Sequence, residues 1–154
     1  MHLEIERKFL IAHEGWRSSV QEELHLRDGL IADDAGRKVR VRICNGSGSL
    51  TIKGRRQGLA RSEFTYDLPL HEAEGLLRTV CEGRVVEKVR YLVPHEGFTW
   101  SVDVYGGVLA GVVIAEVELQ FESQEFGRPD WIGQEVTGDP QYSKINLLAA
   151  RRGE

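Results

Sequence analysis

Apolar and polar residues alternate at period two through most of this chain. The alternation is clearest near residues 2–11, 23–31, 38–44, 48–54, 61–68, 84–93, 98–105 and 112–122, and it predicts a β-strand at each. Turn-forming clusters separate several of them: Asp33-Asp34-Ala35-Gly36, Asn45-Gly46-Ser47-Gly48 and Pro94-His95-Glu96-Gly97. Connections this short join antiparallel neighbours, because a parallel pair needs a long crossover. Helices are predicted at about 14–21, 70–81 and 140–151. The second follows Pro69 and stops before Gly83, with Leu70, Ala73, Leu76, Leu77 and Val80 along one side. The third follows Asp139-Pro140, a capping residue and then proline at the first helical position.

The polar face of these strands is ionic. In Glu4-Ile5-Glu6-Arg7-Lys8, side chains alternate between faces, so Glu4, Glu6 and Lys8 share one face and Ile5, Arg7 and Phe9 the other. Glu116-Val117-Glu118 repeats the arrangement, with Ala115, Val117 and Leu119 opposite the acids. Between them stand Arg40, Arg42, Lys53, Arg61, Glu63, Lys88, Arg90 and Asp103. Two readings fit. The charged face is solvated and the apolar face packs on helices; or the sheet closes into a barrel with its charges inside. Both signs recur together, with many Arg, whereas solvated faces mix in Ser, Thr and Gln and favour Lys. The residues by themselves leave both readings open.

Composition narrows the function classes. At 154 residues the chain fits one domain, spanning 1–154, with a real core. A net charge of −4 argues against a basic nucleic-acid binder but says nothing about a local basic cavity. The N-terminus lacks an apolar leader and no stretch is long enough to span a membrane, which predicts a cytoplasmic protein. Cys44 and Cys81 are too few for a disulfide framework and lack metal-ligand spacing, so both are expected as reduced thiols. Trp16, Trp100 and Trp131 are expected in packing rather than as base-stacking platforms. None of the five His has ligand spacing, and Arg55-Arg56 in its Gly-flanked loop reads as a solvated turn, with guidance of an anion toward one mouth as the alternative.

At its charged strands the chain resembles the CYTH family, the triphosphate tunnel metalloenzymes. Glu4-Ile5-Glu6-Arg7-Lys8 matches the family's N-terminal ExExK motif. Arg40-Val41-Arg42-Ile43, Thr51-Ile52-Lys53-Gly54, Arg61-Ser62-Glu63, Glu87-Lys88-Val89-Arg90-Tyr91 and Trp100-Ser101-Val102-Asp103 follow in the family's order. Ala115-Glu116-Val117-Glu118-Leu119, residues 129–137 and Tyr142-Ser143-Lys144-Ile145-Asn146-Leu147 complete the series. The triplet alone is a weak signal; the ordered series covers nearly the whole chain. The resemblance implies a mainly β (α+β) fold, a closed eight-stranded antiparallel β-barrel forming a tunnel, with a few helices outside and a C-terminal helix.

It also implies metal-dependent hydrolysis of inorganic tripolyphosphate by in-line attack of water on a terminal phosphorus. On that basis Glu4, Glu6, Asp103, Glu116 and Glu118 are assigned to Mg²⁺ or Mn²⁺, hard cations that prefer oxygen donors. Lys8, Arg40, Arg42, Lys53, Arg61, Lys88, Arg90 and Lys144 are assigned to phosphates, Arg through its planar fork and Lys as a point charge. Lys8, Lys88, Arg90 and Glu63 are the implied catalytic set, with Glu63 orienting basic side chains. Lys144 differs from the rest in coming from the terminal helix rather than from a strand, where the alternative is a solvated position. Nucleoside triphosphatase, thiamine triphosphatase and class IV adenylate cyclase activities belong to the same fold, and a non-catalytic polyphosphate or nucleotide binder is the alternative outside it. Lys38 stands where thiamine-triphosphate-using members carry Trp, which disfavours that substrate. The partner is a small-molecule triphosphate, without nucleic acid or membrane. A homodimer would have to use a helix or an outer wall, since a closed barrel has no free edge.

Overall fold

Three two-residue hairpins shape the sheet, and each rests on the same backbone requirement. Ala35-Gly36, Asn45-Gly46 and Glu96-Gly97 all adopt positive φ at both positions, 50° and 88°, 47° and 83°, 46° and 81°. This is the turn whose twist matches that of antiparallel strands, and glycine at its second position carries no steric cost there. A computed structural model describes residues 2–153 and places the turns between β2 (Glu22–Asp34) and β3 (Arg37–Cys44), between β3 and β4 (Ser47–Lys53), and between β6 (Val85–His95) and β7 (Phe98–Tyr105). The predicted span 1–154 also includes Met1 and Glu154, which lie outside the described residues.

With β1 (His2–Ile11), β5 (Ala60–Leu68), β8 (Val113–Glu118) and β9 (Ile132–Glu135), the strands run in the order β5-β4-β3-β2-β6-β7-β8-β1-β9. Pairing of β5 with β1 closes the first eight into an antiparallel barrel. Every expected strand is present, and the barrel reading of the charged face prevails over the solvated one. The ninth strand was not expected. It has four residues, and Gly133 and Gln134 interrupt any apolar alternation. It extends along β1 beyond the reach of β5, pairing with Phe9 and Ile11. The last predicted strand, 112–122, ends instead at Glu118.

Packing outside the barrel fixes its shape. Phe9, Trp100, Val102, Ala115 and Val117 point outward and are buried with Trp16 and Trp131, so all three tryptophans are core. Helix α1 (Leu70–Thr79) lies on β3 and β4 through Ala73 and Leu77, and it ends short of the expected residue 81. Gly29 lets β2 approach closely, since a Cβ there would collide with Cys81 Sγ and Leu77. The predicted helix at 14–21 is a 3-10 segment, Glu14–Ser19. The predicted helix at 140–151 begins later. Asp139 caps a 3-10 turn, Pro140–Tyr142, and extended Ser143 then caps α2 (Lys144–Arg152) by accepting from Asn146 N. Leu148 of α2 packs with Val86, Tyr105 and Ile114, so the helix covers one end of the barrel. Among the described residues, no helix is long and apolar enough to cross a membrane.

Candidate active site

Strand register decides which charges meet inside. Glu6 lies opposite Glu118 and Lys8 opposite Glu116 across β1 and β8, while Glu4 lies opposite Arg61 across β1 and β5. Continuing round, Lys53 faces Glu63 on β5 and Lys38 on β3. Arg42 faces Asp28, and Arg90 faces Asp103. Thirteen of the fourteen ionic positions assigned from sequence thus have their strand register fixed: Glu4, Glu6, Lys8, Arg40, Arg42, Lys53, Arg61, Glu63, Lys88, Arg90, Asp103, Glu116 and Glu118 all lie on strands. Lys144 arrives separately, at the start of α2, and borders the cavity.

That cavity, about 250 Å³, is bordered by Lys8, Lys38, Arg40, Lys53, Arg56, Arg61, Arg84 and Lys144, with Glu6, Asp28 and Asp139 as its acids. No aromatic ring is among these lining side chains. Arg40 has no carboxylate partner among the described residues. One guanidinium nitrogen donates to Thr51 Oγ1 at 3.3 Å, while its buried Nε has no partner among the described residues. Arg61 is held by the backbone, donating to Gly54 O at 3.3 Å and Gly36 O at 3.1 Å, so its charge is also uncompensated. Burial pushes the Arg40 guanidinium down, as it does the Lys8 ammonium, and Lys144 beside Lys8 adds to the effect. Among the described residues, Arg40 and Arg61 have no carboxylate within ion-pair distance.

Across the barrel the charges are matched. Arg42 grips Asp28 through both carboxylate oxygens, at 2.7 and 2.8 Å, and Arg90 grips Asp103 the same way, at 2.8 and 2.9 Å. Lys88 stands between them, 2.8 Å from Asp103 and 3.7 Å from Asp28. Burial drives its ammonium down to about 8 despite both acids. Burial favours the neutral form of Asp28 and Asp103, but Arg42 for the first, and Lys88 and Arg90 for the second, hold both carboxyls below their ordinary range.

The remaining acids form a row along β1, β5 and β8. Lys53 Nζ lies 3.0 Å from Glu4 and 3.4 Å from Glu63. Burial raises the Glu4 carboxyl, but a hydrogen bond with Glu63 and the Lys53 ammonium bring it to about 2, while burial and Glu4 raise Glu63. Glu6 is pushed up to about 7 by burial and then by the negative charges of Glu116 and Glu4. Glu116 pairs with Lys8 at 3.8 Å. Glu118 sits at the rim, exposed, with His2 Nε2 3.1 Å from it.

The model of the CYTH domain matches residues 2–150. The chain belongs to the CYTH domain family. An inorganic triphosphatase of Acetivibrio thermocellus is 46% identical over 148 residues, covering 96% of this chain and 94% of that one. One from Nitrosomonas europaea is 35% identical over 152 residues, covering 94% and 95%. A crystal structure of an inorganic triphosphatase superposes with a TM-score of 0.67 at 32% identity, covering 94% of this chain and 96% of that chain.

In this CYTH domain a divalent cation has a chemically suitable place. Glu6, raised by burial and then by the charges of Glu116 and Glu4, marks a point where negative charge is in excess, and the donors are oxygens only. Glu4, Glu6 and Glu116, with Glu118 at the rim, fit such an ion. No group of three or more His, Cys, Asp or Glu is gathered at ligating distance among the described residues, so the carboxylates would have to draw together. Asp103 differs, because Arg90 and Lys88 already occupy its oxygens. Arg56, expected in a solvated turn, borders the cavity instead, and sequence reasoning missed Asp28, Arg84 and Thr137. Asp28 had a signal: Leu24, Leu26, Asp28 and Leu30 recur at spacing two on β2, an acid on an otherwise apolar row. Arg56 and Thr137 come from connections, where no periodicity points anywhere, and Arg84 stands just before β6, one residue outside the strand expected to hold it.

Proposed function

We propose that this CYTH domain, read as one unit over residues 1–154, hydrolyses inorganic triphosphate with Mg²⁺ or Mn²⁺. One observation carries the reading: cations without a carboxylate partner, Arg40 and Arg61, border one cavity with Glu6, and Glu6 continues into the acidic row of Glu4 and Glu116. A polyphosphate with a bound divalent cation satisfies both walls at once. The likeness to two inorganic triphosphatases supports the same substrate. The lining offers no aromatic ring to stack a base or a thiazolium, which favours the inorganic anion over nucleotides and thiamine triphosphate.

In this reading Lys8, Arg40, Lys53, Arg61 and Lys144 hold the phosphates, and Arg42, Lys88 and Arg90 act from the paired wall behind. Lys8, Lys88 and Arg90 lower the barrier by stabilising charge that develops on the transferred and leaving oxygens. Glu63 holds Lys53 in place. Glu4, Glu6, Glu116 and Glu118 are the proposed metal donors, and Asp103 joins them only by releasing Arg90 and Lys88. The bound cation supplies electrostatic stabilisation of the phosphate oxygens. Water attacks a terminal phosphorus in line, and no covalent intermediate is required. The chain is placed in the cytoplasm, where the free thiols of Cys44 and Cys81 stay reduced.

Phosphate release from tripolyphosphate, ATP and thiamine triphosphate, measured side by side with cyclic AMP monitored, tests the reading. Tripolyphosphate should be turned over fastest, with no cyclic AMP. Preferential turnover of ATP, or equal rates in EDTA, would overturn it.

A further inference from the structure

Asp28 has no part in the chemistry above, yet it borders the cavity while only 3% exposed. The two cations it engages, Arg42 and Lys88, are not among the side chains bordering that cavity; the acid stands in front of them. Both Asp28 oxygens are taken by the Arg42 fork, and Lys88 carries the contact on to Asp103 and Arg90. The result is an alternating line, Arg42–Asp28–Lys88–Asp103–Arg90, across β3, β2, β6 and β7. Its position is set from outside as well, since Gly29, the next residue, is pressed against Leu77 and Cys81.

An acid at a polyanion site is costly unless it does something there. A bidentate carboxylate saturates the arginine fork that would otherwise engage two phosphate oxygens. A cavity in which every cation were free would hold pyrophosphate about as firmly as triphosphate, and tight binding of both states does not speed turnover. From this geometry we propose that Asp28 is a positioning residue that withholds the Arg42 fork from the phosphates, so that the unpaired cations opposite bind substrate and product can leave. The proposal rests on the triphosphatase reading.

The test is Asp28→Asn, which keeps the shape and removes the charge. Calorimetric titration with tripolyphosphate and with pyrophosphate is done in EDTA, where turnover plays no part. Both anions should bind about tenfold more tightly than to the wild type, the scale of one added charge-assisted contact. With metal restored, KM and kcat should fall together, whereas a merely structural loss would weaken binding. Unchanged or weaker affinity in the folded variant overturns the proposal. A second measurement needs no variant: on titrating the wild type with tripolyphosphate in EDTA, the Nε–Hε NMR signal of Arg40 should move more than that of Arg42. The reverse order overturns the proposal even if Asp28→Asn does not fold. Absence of wild-type turnover would sink the triphosphatase reading instead, leaving both binding measurements to decide on Asp28.

Discussion

Arg40 and Arg42 lie two residues apart on the same strand and face the same interior, but they live in different surroundings. Across the ladder to β2, Arg42 meets Asp28 and Arg40 meets Leu30. On the other side they meet Ser49 and Thr51. One guanidinium is therefore neutralised in place, while the other keeps a buried Nε without a partner. The same contrast divides the whole barrel. Around β2, β3, β6 and β7 three cations, Arg42, Lys88 and Arg90, share the two acids Asp28 and Asp103, and the charges hold the wall together. Around β1, β4 and β5, cations and acids are out of balance locally, which is the condition for binding something else. Identical residue types thus serve structure or chemistry according to what register places beside them.

The largest effect should come from removing the ion that the acidic row is suited to hold. Chelation by EDTA should lower tripolyphosphate turnover by at least about 10³-fold, in line with several kcal/mol of charge stabilisation. Turnover surviving intact would mean that the acids serve the open wall as they serve the paired one, by salt bridges alone.

On the paired wall the expected loss is in stability. Asp103→Asn leaves Arg90 and Lys88 buried beside an amide, and breaking a buried pair by removing one partner costs about 3–5 kcal/mol. For a chain of this size that lowers Tm by roughly 10 °C. A Tm within about 2 °C of wild type, the shift expected of an ordinary surface change, would show that the wall is not held by its ion pairs.

Much of this contrast could be read from spacing, and its sharpest part could not. Period-two alternation fixes which side chains share a face, so Glu4, Glu6 and Lys8 could be grouped before any strand was paired. Pairing is another matter. That Arg90 meets Asp103, and that Lys88 lies between two acids, depends on how β6 slides against β7 and β2, and no local pattern carries that information. Asp28 was legible as an acid on a leucine row but not as Arg42's partner. The strand Ile132–Glu135 was hidden because four residues with a central glycine give no periodicity. Helix α2 was foreseen, yet the proline that suggested its start serves a 3-10 turn, because Ser143 supplies a second cap.

On the open wall the expected loss is in activity with the fold intact. Arg40→Ala removes an unpaired charge, so it should lower kcat/KM for tripolyphosphate by about 10²-fold, the cost of losing one well-placed donor. Because no acid is left behind, Tm should hold or rise. The comparison fails if Arg40→Ala destabilises the chain as much as Asp103→Asn does.

The smallest effect isolates solvent exposure, because the outer wall repeats the inner geometry. Arg7 grips Glu135 at 2.7 and 2.6 Å, much as Arg90 grips Asp103, but both partners are about a quarter exposed, at 23% and 29%. Water screens the pair, so Arg7→Gln should cost about 1–2 kcal/mol at pH 7 rather than the inner value. The pH dependence has a definite sign. The hydrogen bond from Arg7, helped by Thr137 and opposed by partial burial, holds the Glu135 carboxyl at about 2, below the ordinary 4.5. A depressed carboxyl stabilises the fold fully above the unfolded value and loses that contribution as pH falls from 4.5 toward 2. Urea unfolding should therefore show the gap between wild type and Arg7→Gln narrowing from pH 7 to about pH 3. It should not vanish, because Arg7 also lies 4.9 Å from the Phe126 ring, a contact worth about 0.5–1 kcal/mol that does not titrate. A gap that widens on acidification would show that the ion pair is not what holds Arg7 against β9.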